Sequence, residues 1–136
     1  NDDVDQVVPG RLFRNADPPL TAPGRGRATV TARLDVTEDP EDVYRIWVPA
    51  QRRVAIRVTV STDADIELWN ATTPSVLVTG AARRKHLLAG SGFAGIHPEA
   101  VSFRNPSRRG TFVYLDVYLP QRGAPTAQYQ ATIATR

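Results

Sequence analysis

The stretch "VYRIWVPAQRRVAIRVTVSTDADIELW", residues 43–69, decides the fold because three of its segments alternate between apolar and polar residues. Successive side chains of a β-strand point to opposite faces, so strict alternation is typical of a strand with one buried face. In the second segment, residues 53–60, the apolar positions are Val54, Ile56, Val58 and Val60. In the third segment, residues 64–69, they are Ala64, Ile66 and Leu68. The stretch therefore predicts consecutive half-buried strands.

The same period of two recurs along the chain outside this stretch. Segments with this pattern cover residues 28–35, 43–48, 53–60, 64–69, 100–105, 111–119 and 128–135. Turn-forming pairs such as Asp39-Pro40 and Asn105-Pro106 separate them. No convincing helix is indicated. Short strands at regular spacing in a chain of 136 residues predict an all-β protein, an antiparallel β-sandwich of about eight strands around a single core.

Two segments do not follow the alternating pattern. Residues 1–27 are rich in proline and glycine, and we expect an extended N-terminal arm with possible short strands around Val7-Val8 and Leu12-Phe13. Residues 80–98 form a glycine-rich connection whose length is typical of functional loops. The predicted organisation is thus an arm, 1–27, followed by a sandwich domain, 28–136.

Composition restricts the class of protein. The chain is 41% hydrophobic and 23% charged, which argues against disorder, and no apolar run approaches the roughly 20 residues of a membrane span. Cysteine is absent, which excludes disulfides and thiolate metal sites. Methionine is also absent, even at position 1, so we expect a chain cut from a longer precursor. Removal of an export signal would make it extracellular or cell-surface, and a cloned fragment is the alternative.

Catalytic and nucleic-acid-binding patterns are missing from the sequence. The two histidines, His86 and His97, fall in the irregular region, and no nucleophile-base arrangement is suggested, so the chain is predicted not to be an enzyme. The basic clusters at residues 83–86 and 108–109 are interpreted as solvated loop charge, and no nucleic-acid partner is expected.

Calcium fits the residue types better than a transition metal does, because it takes several oxygen ligands from loops. The candidate ligands are two pairs of aspartates, Asp39 with Asp42 and Asp63 with Asp65. The alternative interpretation is an acidic turn for the first pair and a solvent-facing row for the second. No other cofactor is predicted.

The outward-facing aromatic residues are the best candidates for a binding surface. If the aliphatic residues of each strand face the core, the opposite face carries Trp47 with Arg45, Trp69 with the acids, and Tyr114 with Tyr118. Exposed aromatic rows indicate either a contact surface or a surface that another segment covers. The arm could supply this cover through Val4, Val7, Val8, Leu12 and Phe13, within the same chain or on a neighbouring copy.

The order of several motifs resembles that of the bacterial pre-peptidase C-terminal domain family. The motifs are an Asp-x-Tyr-x-x-x-Val strand (Asp42, Tyr44, Val48), an acidic strand (Asp65, Glu67, Leu68), a Gly-Thr-aromatic start (Gly110, Thr111, Phe112) and a closing tyrosine strand (Tyr129), over roughly residues 28–134. The resemblance implies a jelly-roll-like sandwich appended to secreted enzymes. It also implies a non-catalytic module that in some members binds protein or carbohydrate polymers and calcium.

Two functions follow as hypotheses. The first is a secreted, non-catalytic module that binds a protein or polysaccharide polymer by surface contact, through Trp47, Trp69, Tyr114, Tyr118, Arg45 and Arg57. The second is a structural subunit of an extracellular filament or surface layer. In the second hypothesis, the N-terminal arm would add a strand to the sheet edge of the next copy.

Overall fold

The structure, a computed structural model, describes residues 1–8, 20–21, 26–120 and 124–136. Within them are nine strands and two short helices. The strands are β1 (Leu20–Thr21), β2 (Arg27–Asp35), β3 (Glu41–Val48), β4 (Arg53–Val60), β5 (Asp65–Asn70), β6 (Leu87–Ser91), β7 (Glu99–Arg104), β8 (Thr111–Tyr118) and β9 (Thr126–Thr135). The helices are α1 (Val4–Val7) and α2 (Gly80–His86).

The strands form two sheets that pack face to face. Sheet A has the order β1-β3-β8-β5-β6, and sheet B has the order β2-β9-β4-β7. All neighbours in the two sheets are antiparallel except β1, whose Leu20 and Thr21 pair in parallel with Ile46 and Trp47 of β3. From β2 to β9, consecutive strands lie in different sheets except for β5 and β6, which pair in sheet A, and this is the order of an eight-stranded jelly roll. The predicted all-β sandwich is confirmed.

The inner faces of the two sheets carry the aliphatic residues that the alternation predicted. Ile46, Val48, Ile66, Leu68 and Leu115 of sheet A are fully buried. They meet a second set from sheet B in one continuous core: Leu34, Val54, Ile56, Val58, Ala131 and Ile133. Burial of this apolar area is the main stabilising contribution to the fold.

The helices correct two of the expectations from sequence. Residues 80–98 are not one loop, because α2 and β6 occupy residues 80–91 and leave only 92–98 as an irregular connection. The strand predicted around Val7-Val8 is also wrong: Val7 ends α1, whose N-cap Asp3 accepts a hydrogen bond from the backbone N–H of Val4. Leu12 and Phe13 lie outside the described residues. Neither helix in the described part of the chain has the length and apolar character that a bilayer span requires.

A buried polar link joins the two sheets across the core. The hydroxyl of Tyr129, on β9 of sheet B, donates to Asp42 Oδ2 on β3 of sheet A at 2.6 Å. The hydroxyl of Tyr44 lies 2.6 Å from that of Tyr129, and because the Tyr129 proton goes to the carboxylate, Tyr44 donates to Tyr129. Burial raises the pKa of Asp42 and raises the pKa of Tyr44 to about 12.

We expect Tyr129→Phe to lower the free energy of unfolding by about 1–3 kcal/mol, because it leaves the buried Asp42 carboxylate without its donor. Tyr44→Phe is the matched control, since it removes only the outer hydroxyl, and it should cost less than about 1 kcal/mol. Urea unfolding measures both values. A larger loss for Tyr44→Phe would contradict the assignment of the link to Asp42 and Tyr129.

Candidate functional site

The outer face of sheet A brings together most of the predicted site residues. Strand register aligns Arg45, Tyr114 and Trp69 in one row across β3, β8 and β5. A neighbouring row holds Val43, Asp116 and Glu67. The face assignment made from the alternation is therefore correct, and the remaining question is which parts of this face reach solvent.

The N-terminal segment, residues 1–8, covers the middle of this face. The backbone carbonyl of Asn1 accepts from Val43 N at 2.7 Å, and the Asn1 side-chain amide donates to Val43 O at 2.9 Å. Asp3 Oδ1 accepts from Val76 N at 2.9 Å, which ties the segment to the connection after β5. These contacts hold α1 against the chain's own sheet.

A second hydrophobic core lies between this segment and sheet A. It contains Val4 and Val7 of α1 together with Val43, Trp69, Val76 and Tyr114, and partly buried Val8, Val78 and Leu87 pack against it. Trp69 has 0% of its surface exposed and Tyr114 has 4%. The expectation that these two aromatic residues form part of an exposed contact surface is therefore wrong, because the segment and the 71–79 connection bury them.

Four carboxylates form an acidic cluster next to this second core. Asp116 is 2% exposed, Glu67 is buried, and Glu41 and Asp65 are half-buried. Burial, followed by repulsion from Glu41 and Glu67, raises the pKa of Asp116. Burial is also the main cause that raises the pKa of Glu41 to about 7, and the charges of Asp3, Asp2 and Glu67 add to it. The cluster is therefore partly protonated near neutral pH.

One cation from α2 neutralises part of the acidic cluster. The guanidinium of Arg83 donates to both carboxylate oxygens of Glu67, at 2.7 and 2.5 Å, and lies 5.4 Å from the ring centre of Trp69. The hydroxyl of Tyr118 donates to Glu67 Oε1 at 3.2 Å. Tyr118 is thus half-buried and engaged within the fold. Arg83 was not among the predicted site residues, because residues 83–86 were interpreted as solvated loop charge.

His86 corrects the same interpretation of residues 83–86. Its ring is buried, and its Nδ1 lies 3.1 Å from Asn70 Oδ1 and 3.3 Å from Thr72 Oγ1. The histidine fixes the end of α2 to the connection after β5. Its signal in the sequence is weak, because a lone histidine after three basic residues has no distinctive spacing.

The four aspartates proposed as calcium ligands lie in two separate environments. Asp42 belongs to the link between the sheets, and Asp39 lies in the tight turn after β2. Asp63 Oδ1 accepts from Gly95 N at 2.9 Å, and Asp65 packs against Gly92. Within the described residues, no group of three or more His, Cys, Asp or Glu side chains is arranged to hold a metal ion. Calcium binding stays a prediction.

Beyond the N-terminal segment, the outer face of sheet A carries an aromatic platform made of Arg45, Trp47 and Phe112, of which Trp47 is exposed and the other two are half-buried. The rings of Trp47 and Phe112 pack edge to face, with centroids 4.7 Å apart. Arg45 Cζ lies 4.7 Å from the centre of the Phe112 ring. Trp47 remains 36% exposed. Two of the six residues predicted for a binding surface, Trp47 and Arg45, therefore meet at a surface.

A glycine fixes the position of the exposed tryptophan. The Trp47 ring lies directly over Gly110, where an added Cβ would come within 2.1 Å of Trp47 Cζ2. Only glycine allows this approach, so the Trp47 ring already has a fixed position in the unbound protein. The motif Gly110-Thr111-Phe112 was noted in the sequence as the start of a strand. Its glycine lies under the Trp47 ring, and its phenylalanine is the aromatic neighbour of that ring.

Two further exposed features lie away from the aromatic platform. Arg57, the last residue of the predicted set, lies on β4 and is exposed on the opposite sheet, sheet B. The connection between β6 and β7 presents Phe93 and Ile96, which are both exposed. Buried Glu99 holds this connection by accepting from Phe93 N at 3.0 Å.

Comparisons with known proteins support the fold that this geometry shows. No family model and no curated protein matches the chain. Among solved structures, the pre-peptidase C-terminal domain of a collagenase from Bacillus anthracis is 17% identical, with a TM-score of 0.53 over 90% of this chain and 100% of that chain. The chain has a fold like that of a pre-peptidase C-terminal domain. The resemblance inferred from the motifs is confirmed at the level of the fold.

Two periplasmic inhibitors of g-type lysozyme are more distant in structure. PliG of Aeromonas hydrophila is 12% identical, with a TM-score of 0.46 over 81% of this chain and 86% of that chain. PliG of Salmonella Typhimurium is also 12% identical, with a TM-score of 0.45 over 88% of this chain and 100% of that chain. These values indicate a general β-sandwich likeness and carry no argument about a partner.

We expect Trp69→Ala to lower the free energy of unfolding by about 3–5 kcal/mol, because it empties the centre of the second core. Trp47→Ala should cost only about 1–2 kcal/mol, since that ring is partly exposed. Chemical denaturation of the two variants compares the values. Equal losses would show that the N-terminal segment does not bury Trp69 in solution.

The acidic cluster predicts a stability that falls as pH rises. Because the pKa of Glu41 is raised from 4.5 to about 7, the folded state binds more protons than the unfolded chain between about pH 4.5 and 7. The free energy of unfolding should therefore decrease through that window. At pH 8, Glu41→Gln should be more stable than the wild type by about 1 kcal/mol, a value discounted for the half-exposed side chain.

The control for this pH experiment is Glu38→Gln, which removes an equal charge from an exposed turn. The melting temperatures of the wild type, Glu41→Gln and Glu38→Gln are compared between pH 4 and 8. An unchanged pH dependence in Glu41→Gln would contradict the role of this carboxylate.

Proposed function

We propose that the protein is a non-catalytic extracellular module that binds a protein or carbohydrate polymer through the aromatic platform of sheet A. The observation that carries the proposal is the exposed Trp47 ring, seated on Gly110 and packed against Phe112 beside Arg45. Tryptophan and arginine are the residues most often found at the energetic centres of interfaces. Their fixed positions reduce the conformational entropy that binding would cost.

The chemistry of the platform suits an extended chain with flat apolar parts. The Trp47 ring offers an apolar surface for a sugar ring, a proline ring or an aliphatic side chain. The Arg45 guanidinium, stacked on Phe112, has donors for carbonyl or carboxylate oxygens. The backbone edge of β3 at Trp47 is already paired with β1, so binding by strand addition at that point is not available. A ligand would therefore contact side chains.

The structural neighbour adds a reason to test polymers. The domain from Bacillus anthracis is part of a collagenase, and a module with this fold attached to such an enzyme suits a role in holding a polymer. We propose the same polymer-holding role for the present chain. Export to the extracellular space belongs to the same proposal.

Assembly by strand donation is the alternative function, and it stays a prediction. The described part of the arm lies on its own sheet, with Asn1 paired to Val43 and with Val4 and Val7 in the second core. Donation to a neighbouring copy would require these contacts to be exchanged between chains, as in domain swapping. Because the contacts of residues 1–8 are made within one chain, we favour the binding module.

Co-sedimentation with insoluble polymers tests the proposed function. Fibrillar collagen, chitin and peptidoglycan are suitable probes, and we expect the wild-type protein to sediment with at least one of them. Trp47→Ala should weaken that association about tenfold or more, as expected for a residue at the centre of an interface. Phe93→Ala, which removes another exposed aromatic ring, is the matched control and should bind like the wild type.

A second variant separates loss of the ring from loss of its position. Gly110→Ala keeps Trp47 but forces the ring away from its seat, so it should also weaken binding while the fold persists. Circular dichroism checks the fold of each variant. Full binding by Trp47→Ala, or no binding of the wild type to any of the three polymers, would overturn the proposal.

A further inference from the structure

The outer face of sheet B carries a concentration of arginines that the aromatic platform does not explain. Arg53, Arg57, Arg104, Arg27 and Arg136 are all exposed on this face. Arg53 lies opposite Arg104 on β7 in the strand register, and its backbone pairs with that of Arg136 on the other side. Neighbouring strands are about 5 Å apart, so these three guanidinium groups form one short row.

The other two arginines extend the positive charge beyond this row. Arg57 follows Arg53 by four residues on the same face of β4, roughly 13 Å away at the usual rise of a strand. Arg27 begins β2, at the far edge of the sheet, opposite Ala134. None of the five has an ion-pair or hydrogen-bond partner for its side chain among the residues that the structure describes.

Between the arginines runs a shallow groove with a floor of small side chains. Its first part has a volume of about 510 Å³ and is lined by Ala55, Ala100, Ser102, Thr132 and Ala134, with Arg27, Arg57 and Arg136 at its margins. A second depression of about 410 Å³ continues past Arg27 and Arg136 to Arg52. Neither part has an acidic or aromatic side chain in its described lining. We call these two depressions the arginine groove.

We propose that the arginine groove binds an anionic polysaccharide. The groove is elongated and has cations along its length, which suits a chain with repeated negative charges. The planar guanidinium group of arginine binds carboxylate and sulfate groups with two parallel hydrogen bonds. The hydroxyls of Ser102 and Thr132 can exchange hydrogen bonds with sugar hydroxyls, and the alanine methyls leave room for the apolar face of a sugar ring.

The floor argues against nucleic acid as the occupant. Proteins that bind single strands stack the bases on aromatic side chains, and the described lining of the groove has none. A duplex presents no free base face to the groove and would be bound through its phosphates alone. This inference is independent of the proposed function, because the arginine groove and the aromatic platform lie on opposite sheets.

Fluorescence titration of the intact chain with four probes tests the proposal. We expect polygalacturonate, which is carboxylated, and dextran sulfate to bind, and neutral dextran not to bind. The affinity for the two anionic polymers should fall several-fold as the salt concentration rises from 50 to 200 mM. A 20-base-pair DNA duplex, the fourth probe, should bind at least tenfold more weakly than the polysaccharides.

Two variants with the same loss of charge assign the site. Arg27→Gln/Arg57→Gln removes two cations that line the arginine groove and should raise Kd for both anionic polysaccharides about tenfold or more. Arg84→Gln/Lys85→Gln removes two exposed cations from α2, on the sheet A side, and should change Kd less than twofold. All four positions are exposed, so both variants should keep the melting temperature of the wild type.

A third variant tests the contribution of the hydroxyl groups that line the arginine groove. Ser102→Ala/Thr132→Val removes the two hydroxyls without changing the charge, and we expect weaker binding of polygalacturonate. Three outcomes would overturn the proposal: neither anionic polysaccharide binds, the α2 variant loses as much affinity as the groove variant, or DNA binds through the same arginines as tightly as the polysaccharides.

Discussion

The hydrogen bond from Tyr129 to Asp42 is the constraint on which the arrangement of the two sheets depends. A carboxylate on the inner face of a sandwich is costly to bury, and a donor from the opposite sheet, the Tyr129 hydroxyl, satisfies it here. The bond is made when β9 and β3 pack in one relative position, so it selects that position among other packings of aliphatic residues. Slippage of β3 or β9 by one residue within its own sheet would turn one of these groups to the outer face.

This constraint also explains how one sheet can be buried on both faces. Once sheet A is fixed against sheet B, its outer face holds Trp69, Tyr114 and Val43 in one apolar patch, which α1 and the connection after β5 then cover. The cover crosses a row of carboxylates, of which Glu67 is paired with Arg83. The molecule thus has two cores, a main one between the sheets and a smaller one under its N-terminal segment.

Most of the sandwich could be predicted from the sequence, because period-two alternation is a local signal that does not depend on partners. The seven alternating segments correspond to strands in the structure, and the inward and outward faces of β3, β5 and β8 were correctly separated. The motif residues Asp42, Tyr44 and Tyr129, which were recognised as a pattern, prove to bond to one another. The spacing alone gave no sign of that contact.

The prediction failed where burial depends on distant segments. The alternation of Asp65, Glu67 and Trp69 shows that they share a face, but it cannot show that residues 1–8 lie on top of them. The helix α2 was missed because it has only seven residues and begins at a glycine, so it lacks the periodicity of a longer helix. The arginine groove was missed for the opposite reason: its members are spread over four strands and converge only in the folded sheet.

The arginines of sheet B and the carboxylates of sheet A have a consequence for the molecule as a whole. They lie on opposite sides of a sandwich whose sheets are about 10 Å apart, so the protein carries an electric dipole across its thickness. Such a dipole turns the molecule in the field of a charged surface before any contact forms, with sheet B toward a negative matrix. Sheet A, with Trp47, would then face away from that matrix. The module would approach in one orientation, and ionisation of Glu41 near neutral pH would strengthen that preference.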